Sequence, residues 1–124
     1  MTQEDKELLW KDLCARLPYG VIVDNPNPAG GMWDEVISID TSTKTVTLLY
    51  NGPVFSIDEV KPYLFPLSSM TEEQEKEYNN LNCYELGCFP HSEEALDYLT
   101  KNHFDYRYLI EKGLAIDATG LNIY

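Results

Sequence analysis

Val60-Lys61-Pro62-Tyr63-Leu64-Phe65-Pro66-Leu67-Ser68-Ser69-Met70-Thr71-Glu72-Glu73 is the stretch at which the chain changes character. Pro62 and Pro66 exclude a regular helix and impose an extended path, while Tyr63, Leu64, Phe65 and Leu67 are too apolar to leave in water. The stretch therefore predicts a short buried strand that acts as a hinge. A β half (residues 18–67) precedes it and a helical half (68–124) follows, within one domain spanning 1–124.

Before the hinge, Thr2 is a candidate N-cap for a helix over Glu4–Leu17, with Leu9, Leu13 and Leu17 on one stripe beside Trp10 and Cys14; Pro18 ends it. Residues 20–23 read as a strand, and the Pro- and Gly-rich run 24–31 reads as a loop. From Trp33 to Asp40 the residues alternate, with Trp33, Glu35, Ile37 and Ile39 on one parity, although Val36 breaks the pattern. A turn at 41–44 and a β-branched strand over 45–50 follow. Asn51-Gly52 predicts a hairpin into residues 53–57, and Ser56 with Glu59 predicts a capping box over one helical turn. This order, with Tyr50-Asn51-Gly52 and Ile57-Asp58-Glu59-Val60-Lys61-Pro62, looks like the turn and closing strand of a Tudor domain. The expected fold class is therefore α+β, with a small Tudor-like or Src-homology-type β-barrel in the first half.

After the hinge, Thr71 and Gln74 predict a second capping box and a helix to about Leu81. Ser92, followed by Glu93 and Glu94, predicts a further helix with Ala95, Leu96 and Leu99 on its inner face. Asp105 is read as the cap of a last helix ending at Gly113. Residues 114–118 and 121–124 are read as a terminal hairpin.

The 124 residues are 44% hydrophobic and 12% aromatic, enough for one buried core. Acids outnumber bases 21 to 9, giving a net charge of −12, which repels nucleic acid and anionic membranes alike. The excess is concentrated over 71–97, where Glu72, Glu73, Glu75, Glu77, Glu85, Glu93, Glu94 and Asp97 face only Lys76. The first residues lack a basic leader, no apolar run approaches the ~18 residues of a membrane span, and three irregularly spaced cysteines suit a reducing compartment. A cytoplasmic location is the expectation.

Three segments carry a further likeness: Asp12-Leu13-Cys14-Ala15-Arg16-Leu17-Pro18-Tyr19-Gly20-Val21, the hinge, and Asn102-His103-Phe104-Asp105-Tyr106-Arg107 with residues 109–116. Together they resemble a family of short uncharacterised proteins of gut Bacteroides genomes and their phages. The likeness covers about a third of the chain; residues 24–32 and 76–97 depart from it, and Tyr108 stands where it leads one to expect Gly. It implies a bacterial or phage setting and no particular chemistry.

Cys83, Cys88 and His91 form C-x4-C-x2-H, ligand types suited to zinc, but a fourth ligand is missing nearby and Cys14 or His103 would have to arrive through space. No metal or other cofactor is expected. A thiol enzyme at Cys83 or Cys88 is disfavoured because Glu85, Glu93 and Glu94 raise a neighbouring thiol's pKa. Trp33, Tyr50 and Phe55, with Tyr19, are candidates for an aromatic cage, against the alternative that they are core. The reading that follows is a non-enzymatic protein-interaction module, with Glu72, Glu73, Glu93 and Glu94 as candidate contacts to a basic partner. The alternatives are an acidic decoy for a nucleic-acid-binding protein and a thiol-dependent enzyme.

Overall fold

The first helix, α1 (Gln3–Arg16), starts where Thr2 caps it: Thr2 Oγ1 accepts the Asp5 N–H at 3.1 Å. It buries Leu9 and Leu13 completely, as the stripe predicts, but Asp12 and Arg16 on the same face are equally buried. Pro18 falls in a 3-10 turn (Leu17–Tyr19), and Gly20 then adopts φ +77°, which turns the chain into the sheet. The computed structural model describes residues 2–24, 33–49, 54–82, 93–121 and 123–124.

Five strands follow: β1 (Ile22–Asp24), β2 (Trp33–Asp40), β3 (Thr45–Leu48), β4 (Val54–Ser56) and β5 (Lys61–Pro66). They pair antiparallel in the order β4-β3-β2-β1-β5. The broken alternation of β2 is a bulge between Val36 and Ser38. Val36 lies opposite Leu48 before it and Ile39 opposite Val46 after it, so both point inward; the extra residue re-phases the strand. Trp33, Glu35 and Ile37 therefore share one parity, and Ile39 joins the core instead. The expected turn at 41–44 is built on Asp40, whose Oδ1 accepts from the N–H groups of Ser42 and Thr43 and from the Ser42 hydroxyl. Tyr50 and the Asn51-Gly52 turn lie outside the described residues. The Ser56–Glu59 capping box is present around a 3-10 turn (Ile57–Glu59).

The hinge stretch divides two cores. Successive side chains of a strand point to opposite faces. Leu64 joins Leu9, Leu13, Val23, Val36, Val46 and Leu48 in one cluster, whereas Phe65 packs against Tyr78, Ala95, Leu99, Phe104 and Tyr106 in the other. The second cluster is roofed by α2 (Glu72–Asn82) and α3 (Glu93–Lys101). The Thr71–Gln74 box caps α2 reciprocally, at 2.9 and 3.2 Å. Ser92, the expected cap of α3, lies outside the described residues.

Three expectations are corrected. Among the described residues the sheet is open and no barrel closure is shown: β5 pairs with β1 and with two late strands, β6 (Phe104–Asp105) and β7 (Ile116–Asp117), and not with β4. The terminal hairpin is replaced by β7, which runs parallel to β5, with Ala118 N–H donating to Leu64 O at 2.8 Å. Residues 106–113 form turns rather than a helix. Asp105 does cap them, accepting from the N–H groups of Leu109 and Ile110, but Tyr108 is left-handed at φ +59° and interrupts the helical path.

Candidate functional site

The outer face of β2–β4 carries Trp33 (43% exposed), Ile37 (48%), Leu49 (58%) and Val54 (60%). Register explains this placement. Val54 lies opposite Thr47, on the face away from the inward Val46–Phe55 pair, and Leu49 N–H donates to Glu35 O at 2.9 Å, next to the inward Leu48. Among the described residues β4 has β3 on one side and an open edge on the other. Trp33 and Phe55 are not brought together: Trp33 is on the outer face and Phe55 lies against the inner core. Tyr19 is exposed in the turn after α1.

Glu72 and Glu73 open α2, and Glu93 and Glu94 open α3; all four are exposed, as are Glu75, Glu77 and Asp97. The two helices pack together and are tied by the Tyr98 hydroxyl, hydrogen-bonded to Glu77. Cys83, Cys88 and His91 lie outside the described residues. Among the described residues no group of three or more His, Cys, Asp or Glu is placed to hold a metal ion. Cys14 is half-buried, which raises its thiol pKa and lowers its reactivity.

The sequence reading missed a buried ionic network between α1 and residues 104–107. Asp12 Oδ2 accepts from Arg16 Nε and Oδ1 from Arg107 Nη1, both at 2.8 Å. Arg16 also donates to Phe104 O, and both guanidiniums lie over the Tyr106 ring, at 5.4 and 4.6 Å. A signal for it was available: Asp12 and Arg16 are four residues apart on the face that carries Leu9 and Leu13. The network also gathers the segments quoted above for their likeness. Asp12 and Arg16 meet Phe104 and Arg107, and Phe65 N–H of the hinge donates to His103 O at 2.8 Å.

His103 follows α3 in a left-handed conformation, φ +64°, a place more often given to Gly. Its ring stacks on Tyr124 at 3.6 Å and 13°. The Tyr124 hydroxyl donates to Tyr63 O at 2.7 Å and accepts the Ile22 N–H at 3.0 Å, which pins the chain end across β1 and β5. Burial first, then the Arg16 charge, push the His103 pKa down to about 4, so the ring is neutral at pH 7. His103 Nδ1 is buried and has no hydrogen-bond partner among the described residues. Beside the stack lies a cleft of about 420 Å³ lined by residues of the hinge, α2, the end of α3 and the C-terminus.

No family model, curated protein or solved structure matches this chain. No helix among the described residues is long and apolar enough to cross a membrane.

Proposed function

We propose that this protein is a non-enzymatic protein-interaction accessory module of a bacterial or phage cytosol, and that its outer sheet face is the contact surface. The observation that carries the reading is that Trp33, Ile37, Leu49 and Val54, each more than two-fifths exposed, share the outer face of β2–β4. Large apolar side chains gathered on one exposed face mark protein contact surfaces. The setting rests on the likeness of the three segments. The test is capture from a bacterial lysate by the native chain and by the double variant Leu49→Lys, Val54→Lys. Both changes are at exposed positions, so the variant should keep its circular dichroism and its melting midpoint. It should lose the captured partners; a variant that still captures them removes the sheet face from the reading.

A second reading, the acidic decoy, is favoured by the exposed carboxylates of α2 and α3. It requires a basic partner held by charge, released as the Debye length shrinks from ~10 Å at 0.1 M salt to ~3 Å at 1 M. Reversing Glu72, Glu73, Glu93 and Glu94 to Lys should abolish that capture. Capture that survives both reversal and high salt would leave the apolar face as the contact.

A further inference from the structure

We infer that the cleft beside the His103–Tyr124 stack is a binding site for a small organic oxyanion, a carboxylate or phosphate ester on a ring-sized body. Its volume, about 420 Å³, falls in the range of small-ligand sites. The ligand's charge follows from the lining. Among the described residues Lys101 is the only charged side chain on the cleft wall, and its ammonium makes no ion pair with any of them.

The hydrogen-bond accounting points the same way. Gln74 Oε1 is used by the Thr71 N–H, which fixes the orientation of that amide and leaves its NH₂ group to donate. Asn102 Nδ2 gives one N–H to Tyr98 O and keeps a second. The Thr119 hydroxyl and N–H are both spent on Asp117 Oδ1, and Asp117 itself is not among the residues on the cleft wall. Glu73 and Glu75 flank Gln74 in sequence but line no part of the cleft. Three donors of the lining residues are uncommitted, the Lys101 ammonium, the Gln74 NH₂ and one Asn102 N–H, beside two acceptors, Asn102 Oδ1 and the Ser69 hydroxyl oxygen. An acceptor-rich anion satisfies the three donors, the cationic Lys101 first.

His103 supplies the wall. Its left-handed backbone and its ring-on-ring contact with Tyr124 hold a flat aromatic surface at the cleft, with Phe65 and Phe104 beside it. Backbone outliers of this kind gather at ligand sites. A neutral imidazole adds no charge of its own, so the electrostatic selectivity rests on Lys101.

The test is nuclear magnetic resonance titration of the full chain with acetate, benzoate, inorganic phosphate and phenyl phosphate, at ionic strength held constant with sodium chloride. Saturable shifts are expected at the amides of Lys101, Asn102, His103 and Gly120 and at the His103 ring, with benzoate or phenyl phosphate ahead of the ringless ions. The tighter of those two identifies the head group. Lys101→Met, at an exposed helix end, should weaken binding by about tenfold while leaving the melting midpoint in place. Gln74→Ala should weaken it without altering charge. The inference is overturned if no probe saturates at millimolar concentration, if sodium chloride alone reproduces the shifts, or if Lys101→Met leaves them unchanged.

Discussion

Asp12 and Arg107 are 95 residues apart in sequence and meet at 2.8 Å, with the aspartate fully buried. This contact ties the first helix to the chain that leaves α3, so both ends of the protein depend on one carboxylate. Removing it strands Arg16, a fully buried guanidinium whose Nη1 already lacks a partner. Asp12→Ala is expected to cost about 3–5 kcal/mol in urea unfolding. Arg107→Ala should cost less, because that side chain is 22% exposed and its loss leaves the Asp12–Arg16 pair intact. Equal losses would mean that the network does not centre on Asp12.

Leu48 and Leu49 test the register of the sheet. Leu48 is fully buried and Leu49 is 58% exposed, although they are neighbours in sequence. Leu48→Ala should destabilise by about 2–5 kcal/mol and Leu49→Ala by about 0.5 kcal/mol or less. Similar values at the two positions would mean that the strand is not seated in this phase.

Two backbone positions should respond with opposite signs. Gly20 has φ +77°, and a Cβ there would lie 2.7 Å from Glu35 Oε1, so Gly20→Ala should cost about 1–2 kcal/mol. Tyr108 has φ +59° and is 46% exposed, so Tyr108→Gly should relieve strain and be neutral or stabilising, by up to about 1 kcal/mol. Thermal melts of the two variants, run together, measure both.

His103 predicts a pH dependence. Its pKa falls from the ordinary 6.5 to about 4 on folding, so between these values the unfolded chain binds a proton that the folded chain does not. Its contribution to stability is therefore present above pH 6.5 and is lost as the pH falls toward 4. His103→Asn tolerates the left-handed backbone and cannot titrate, so its stability should fall less over this window than that of the native chain. Matching slopes for the two proteins would place the His103 pKa near its unfolded value.

The boundaries set by local chemistry were legible without coordinates. Thr2, Ser56 with Glu59, and Thr71 with Gln74 satisfy backbone groups within three residues of themselves, so their caps follow from spacing alone. The two prolines likewise require an extended hinge whatever surrounds it. The tertiary structure decided what those elements meet. Asp105 satisfies a cap in either a helix or a turn, and the choice fell to the left-handed Tyr108. Residues 116–117 suit a hairpin or a parallel strand equally, and the free carbonyl edge of β5 at Leu64 selected the second. The alternation places Ile39 on one parity with Trp33 and Ile37, and a bulge, recognisable only once β3 is paired, moves it to the face of Val36. The Asp12–Arg16–Arg107 network and the His103–Tyr124 cleft depend on contacts between distant residues, whose geometry is set by how two cores pack on either side of one strand.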